Sequence, residues 1–414
     1  MKRNIGFVST RLAGTDGVSL EVDKWAKVLE KLGHKCFYMA GELDTPPEKS
    51  LLLEEAHFDH PEIREITEEC FNVQHRKRSI TDKVHQIKAK LKDEIYRFVE
   101  KYKIDILLPE NALCIPLNIP LGIALTEFIA ETTIPTIAHH HDFFWERPRF
   151  LVNAVGDYLC MAFPPSFGSI KHVVINSAQD NQLSYRTGIS ATIIPNVMDF
   201  ESPPPPPDDY ASDVRKNLSI SDNEYFILQP TRIVQRKGIE HSIELVSRLK
   251  MPARFVISHS AGDEGQGYKQ RLENYSKMLN VNTLFASDVI SDHRGKTEDG
   301  RKIYKIEDVY PHADLVTYPS DYEGFGNAFL ETIYFRKPIV VNIYSVYHID
   351  IKPKGFQAIE LEGYVTPEAV EQAREILKNP SVAKRMTDNN YQLGREYYSY
   401  STLEIKLSAL LESF

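Results

Sequence analysis

The chain has 414 residues, 42% hydrophobic and 26% charged, a length beyond what one hydrophobic core usually organises, so two domains of ordinary size are expected. Its 49 basic and 58 acidic residues leave a net charge of −9, which argues against nucleic acid as the main partner but leaves room for local basic sites. Cys36, Cys70, Cys114 and Cys160 lack C-x-x-C spacing and read as thiols of a reducing compartment; the apolar run in MKRNIGFVSTRLAG is too short for a signal peptide and none is long enough to span a membrane, so the expected location is the cytoplasm.

Short β-branched apolar runs alternate with helical spacing along the chain, the pattern of parallel sheets covered by helices. In the first half the expected strands are 4–9, 35–40, 105–110, 134–139 and 172–177. A helix through Val22, Trp25, Val28, Leu29 and Leu32, ended by Gly33, separates the first two. A second helix carries Ile80, Val84, Ile87, Leu91 and Ile95 on one face and lysines on the other. That basic face reads as solvated; the sharper alternative is attraction of a phosphorylated acceptor or peripheral contact with an anionic membrane. Pro203 to Pro207, a run of five prolines, cannot continue a helix or a central strand and mark the interdomain connection near 196–212. The second half repeats the theme with strands at 225–230, 253–258, 282–287, 314–319 and 337–342. The segment from 389 to the end reads as helical, with Leu403, Leu407, Leu410 and Leu411 apolar. The expected division is a Rossmann-like acceptor domain at 1–197, a Rossmann-like donor domain at 198–395, and a C-terminal helix at 396–414 packing back toward the first domain.

Four loops at strand ends carry the chemistry, since ligands of open α/β sheets bind outside the carboxyl ends of strands. In TRLAGTDGVSLEVDKW, Gly14 and Gly17 allow the backbone to meet a phosphate. In IAHHHDFFWERPRF three adjacent histidines precede Asp142, but neighbours on an extended chain point to opposite faces and cannot all bind one ion, so no metal is expected. In QPTRIVQRKGIEHSIELVSRL, Arg232 and Lys237 flank a loop entering a helix, two fixed cations suited to a diphosphate, while Arg236 reads as a solvated cation. No D-x-D pair exists to hold a metal there instead. In SDYEGFGNAFLETIYFRKPIVVN, Gly324 and Gly326 permit close backbone approach before a helix N-terminus. Glu323 and Glu331 stand eight residues apart and would project to one side, one for a sugar hydroxyl and the other for a ribose.

Taken with INSAQDNQLSY and IIPNVMDF, these motifs resemble the retaining glycosyltransferases of family 4, with their two-domain GT-B fold, in which two doubly wound domains face a central cleft; YPSDYEGFGNAFLETIYFRKPIVV matches the E-x7-E signature. The resemblance implies a nucleoside-diphosphate-sugar donor, such as UDP-glucose or GDP-mannose, lying mainly on the second domain with Arg232 and Lys237 on its diphosphate. It also implies that Glu323 and the amides around Phe325, Gly326 and Asn327 hold the donor sugar, Glu331 the ribose, and Gly17 the phosphate from the first domain. The family's HD pair supports placing His141 and Asp142 near the transferred sugar; Glu110 and Asn111, at the end of the strand 105–110, should lie beside them, and Arg147 and Arg149 are candidate acceptor contacts. Two departures bear on base and sugar: IYSVYHIDIKPKGF stands where many members have a Gly-Gly loop, and a charged, hairpin-like insertion containing Gly295 and Gly300 follows the strand at 282–287.

The expected activity is therefore metal-independent transfer of a hexose, glucose or mannose, to an acceptor hydroxyl with retention and without a cofactor. An epimerase or phosphorylase of the same fold, or a catalytically silent sugar-binding protein, are the alternatives; oligomeric state is open.

Overall fold

The computed structural model describes residues 2–14, 16–261 and 266–414. The chain forms two compact units, one of residues 1–196 and 401–414 and one of 197–400.

The first unit holds a seven-stranded, wholly parallel sheet in the order β3-β2-β1-β4-β5-β6-β7. Its strands are β1 (Asn4–Val8), β2 (Lys35–Ala40), β3 (Ser50–Leu52), β4 (Ile106–Pro109), β5 (Thr136–His140), β6 (Ile170–Val174) and β7 (Ala191–Ile193). Burial on both faces explains why β4 and β5 read as continuous apolar or neutral runs without alternation. Helix Arg78–Tyr102 buries Ile80, Val84, Ile87, Leu91, Ile95 and Phe98 at three- and four-residue spacing against the core. Three of its lysines are engaged by neighbouring acids: Lys83 with Glu65 at 2.5 Å, Lys88 with Glu127 at 2.9 Å, and Lys92 with Glu131 at 2.7 Å. Such pairs near the surface stabilise little, but they neutralise part of the face that could attract an anionic surface.

The second unit carries a six-stranded parallel sheet in the order β10-β9-β8-β14-β15-β16. Its strands are β8 (Tyr225–Gln229), β9 (Ala253–Ile257), β10 (Thr283–Phe285), β14 (Leu315–Tyr318), β15 (Ile339–Asn342) and β16 (Ile359–Leu361). Alternate side chains go to opposite layers, Ile227 to one apolar cluster and Phe226 and Leu228 to the other. Between β10 and β14 the charged insertion folds as β11 (Ile290–Ser291), β12 (Gly295–Lys296) and β13 (Lys302–Lys305), with β12 and β13 antiparallel. Arg294 pins it by bridging Asp208 at 2.7 Å and Asp308 at 2.5 Å, linking it to the segment just after the proline run.

The C-terminal segment departs from a single helix. Helix Pro380–Tyr397 ends at Tyr398, and a separate helix Tyr400–Glu412 follows, belonging to the first unit through Lys31 to Glu404 at 2.7 Å and Lys406 to the Ile193 carbonyl at 3.0 Å. The strands β3, β7 and β16 were absent from the sequence expectation because each is three residues long at or near a sheet edge.

Candidate functional site

In the second unit the carboxyl ends of β8 and β14 bring two loops together. Gly238 adopts φ of 56°, and a Cβ there would lie 2.3 Å from the Pro319 carbonyl oxygen, so only glycine lets the backbones approach so closely. The Asp321 amide donates to the Arg236 carbonyl at 2.8 Å, fastening one loop to the other. Beneath them Gln229 ties the strand ends together: its side-chain oxygen accepts from Ser242 at 2.8 Å and Thr317 at 2.7 Å, and its amide donates to Thr231 at 2.9 Å. A polar residue closing an apolar strand was the available signal for this network, and sequence reasoning passed over it.

That framework aims Lys237 and Arg236 at one carboxylate. Glu323 accepts from Lys237 through Oε1 and from Arg236 through Oε2, the latter at 2.9 Å. Arg236 is therefore not a solvated cation: its partner lies 87 residues away in sequence, where no local pattern could reveal it. Burial opposes the charge on Glu323, yet Lys237 and Arg236 hold its carboxyl down at about 2. Lys237 is only 8% exposed, and burial pulls its proton affinity down against the attraction of Glu323. Arg232 is exposed beside this cluster, and its charge lowers the proton affinity of Lys237 further. The arrangement is one buried, carboxylate-oriented ammonium with an open guanidinium next to it, a geometry that suits a diphosphate.

Past Glu323 the Gly-Phe-Gly turn enters helix Asn327–Tyr334. Gly326 takes φ of 117°, and a Cβ there would meet the Tyr344 hydroxyl at 2.7 Å. That hydroxyl donates to the Phe325 carbonyl at 3.0 Å, so the segment that replaces the Gly-Gly loop of the resembled family sends a tyrosine to buttress the turn. Phe325 is buried. Glu331 lies in the helix and accepts from the Tyr310 hydroxyl at 2.9 Å; it and Glu323 thus answer to different partners.

In the first unit a buried polar cluster sits where β4 and β5 end. Asn111, at φ of 58°, accepts through its side-chain oxygen from the amides of His141 at 2.9 Å and Asp142 at 3.2 Å. Strand alternation divides the histidine run. His139 and His141 face Glu110, at 3.0 Å through Nδ1 and 3.3 Å through Nε2 respectively, while His140 turns the other way to His172 at 2.9 Å. His139 also stacks on Trp25 with ring centroids 4.2 Å apart. Glu110 is wholly buried, and although burial opposes its charge, the two histidines hold its carboxyl below the usual range. Burial likewise opposes a charge on His141, but the Glu110 hydrogen bond and charge, with Glu21 and Asp142, raise its proton affinity above the ordinary value. His139 is lowered by burial, and His172 falls to about 4 for the same reason. Donor atoms of Glu110, His139 and His141 lie within 4.8 Å of one another, the set among the described residues able to receive a metal ion. Two of the three histidines thus share a face with a carboxylate that the run itself did not disclose.

Asp142 pairs with Arg147 at 2.6 Å, whereas Arg149 is exposed with its guanidinium over the Phe150 ring. Gly17 opens helix Gly17–Lys31, but the Asp16 carboxylate already accepts from the Val18 and Ser19 amides at 3.0 and 3.3 Å. A phosphate at that N-terminus would compete with Asp16 for these donors.

The model of the family described as glycosyl transferases group 1 matches residues 211–393. The chain is 32% identical to the mannosylglucosylglycerate synthase of Thermotoga maritima, over 98% of this chain and 98% of that protein. It is 30% identical to the mannosylglucosylglycerate synthase of Petrotoga mobilis, over 95% of this chain and 98% of that one. Its fold is similar to that of the Anabaena protein HepE in complex with UDP-glucose, with a TM-score of 0.62 at 15% identity and full coverage of both chains. The two parallel-sheet, Rossmann-like units are those of GT-B glycosyltransferases.

Proposed function

Since the chain belongs to the glycosyl transferases group 1 family, we propose that it moves a mannosyl group from a nucleoside-diphosphate sugar to a hydroxyl of a glucosylglycerate acceptor, with retention of anomeric configuration. The names of the two synthases support the sugar and the acceptor. The observation that carries the donor assignment is the Glu323-oriented Lys237 with exposed Arg232 beside it at the ends of β8 and β14.

In this reading the donor diphosphate lies against Arg232 and Lys237. As the bond from the anomeric carbon to the phosphate oxygen breaks, negative charge grows on the diphosphate and meets two charges already in place. The acceptor oxygen bonds to the same face of the anomeric carbon, and its proton passes to the departing phosphate oxygen. Glu323 and the amides of the Gly-Phe-Gly turn hold the sugar, with Gly324 and Asn327 flanking it. Glu331 holds the ribose, Tyr310 fixing its carboxylate. His141 and Asp142 are assigned to the transferred sugar, and Arg149 to the acceptor's carboxylate. No cofactor is assigned, and the two cations take the place a metal would have on the diphosphate.

A screen tests this directly. The purified chain is incubated with GDP-mannose, UDP-glucose or UDP-galactose, each with glucosylglycerate, and products are weighed by mass spectrometry. The expected product gains one hexose from GDP-mannose. Donor epimerisation without transfer would favour the epimerase alternative, and binding without any turnover would favour a silent sugar-binding protein.

A further inference from the structure

β9 lies beside β8 in register, Gln229 opposite Ile257, so the residues following each strand emerge side by side. The loop after β8 is fastened to the loop after β9 by the Ile233 amide, which donates to the Ser260 carbonyl at 3.1 Å. His259 thereby stands at the same sheet end as Arg232 and Lys237. Its Nδ1 is engaged by the Ser258 hydroxyl at 2.6 Å, and Ser258 in turn lies 3.4 Å from the Gln229 carbonyl, so the ring is oriented from below and its other nitrogen is turned away from that anchor.

We propose that His259 is a third ligand of the donor diphosphate and takes up a proton as the sugar nucleotide binds. The proposal rests on the donor assignment made above and adds to it a titrating group that neither the motif at 230–238 nor that at 320–342 contains. His259 keeps an exposed edge, but the protein packed around the ring, and after it the charges of Arg232 and Lys237 on the neighbouring loop, lower its proton affinity and keep it neutral in the empty protein. A diphosphate reverses the sign of that field. Two negative charges placed among the three groups stabilise the imidazolium, and the Nε2 protonated on binding then donates to a phosphate oxygen, which the unprotonated Nε2 of the neutral ring cannot do. Donor affinity becomes linked to pH: binding below neutrality carries a proton from solvent to Nε2, and the linkage disappears at high pH. A neutral histidine has a further consequence for product release, since loss of that proton removes one of the three cations holding the nucleoside diphosphate.

The experiment is isothermal titration calorimetry of GDP-mannose and UDP-glucose into the whole chain at pH 6, in two buffers of different ionisation enthalpy, repeated at pH 8.5. Sugar nucleotides are the right probes because their diphosphate has no exchangeable proton in this range, unlike a free nucleoside diphosphate. The expected result is uptake of a large fraction of one proton per ligand at pH 6, little at pH 8.5, and affinity about tenfold weaker at the higher pH. His259→Gln should abolish the uptake and flatten the pH dependence, and His259→Asn, which cannot reach as far, should do the same, with circular dichroism of both variants unchanged. Binding by the wild-type chain without proton uptake, or undiminished uptake in folded His259 variants, would overturn the proposal while leaving the donor assignment standing. Failure of both sugar nucleotides to bind the wild-type chain would remove the donor assignment and the proposal together.

Discussion

Glu110 and His141 face each other across adjacent strand ends, with Oε2 3.3 Å from Nε2, both side chains almost wholly buried. The carboxylate raises the proton affinity of His141 against the burial that opposes it, and His141 is thereby kept charged at pH values where an ordinary buried histidine is neutral.

Replacing Glu110 with Gln keeps the shape and removes the charge. If the imidazolium contacts the transferred sugar, the basic limb of the pH profile of kcat/KM should move toward lower pH in Glu110→Gln, with a loss of roughly tenfold or more at pH 7.5 and recovery toward acid pH. The stability linkage has the same sign: a raised histidine stabilises the fold below its unfolded value near 6.5 and ceases to do so as pH rises through the folded value. Urea unfolding at pH 5.5 and 8.5 checks this, the wild type losing more stability than the variant across that interval.

Lys237 and Arg232 should separate on stability while agreeing on turnover. Alanine at either position removes a charge from the developing diphosphate, a loss of about 3 kcal/mol or roughly a hundredfold in turnover. Lys237→Ala also strips a buried carboxylate of one of its two cations and should lower the melting temperature by several degrees, whereas exposed Arg232 should leave it within about a degree. Steady-state kinetics with differential scanning fluorimetry on the two variants reads both quantities.

Glu323 gives the fold an acid-side dependence. Its carboxyl is held at about 2 against an ordinary 4.5, so the stability it contributes is fully present above pH 4.5 and lost as pH falls through 2, on the order of 3 kcal/mol. Glu323→Gln should therefore be less stable at pH 7 and change less between pH 5 and 2 than the wild type. Its kcat should fall more than its donor KM rises, while Glu331→Ala, which touches the proposed ribose contact, should show the reverse.

The sheet strands were legible because buried parallel strands are written as apolar runs: β8, β9, β14 and β15 each lie within the stretches expected from the sequence. Residues that work through distant partners were not. Arg236 looked like one more surface cation until Glu323, far along the chain, was brought to it. His139 and His141 could be assigned to one side of the strand by alternation alone, but that Glu110 bridges both required the pairing of β4 with β5. The break at Tyr398 left no trace in the helical spacing of the last segment, since neither glycine nor proline marks it. Tyr344 could not be foreseen as a buttress of the Gly326 turn, because its contact is made by a side chain from the loop after β15.

In the proposed reaction two fixed cations, without a metal, carry the leaving diphosphate while the new bond forms on the face the old one leaves. The most direct measurement is proton NMR of the first-formed product from GDP-mannose and glucosylglycerate, recorded in the presence of EDTA before any equilibration. An α-mannoside formed at a rate that chelation leaves unchanged is expected. A β-mannoside, or loss of transfer in EDTA with recovery on adding a divalent metal, would contradict it.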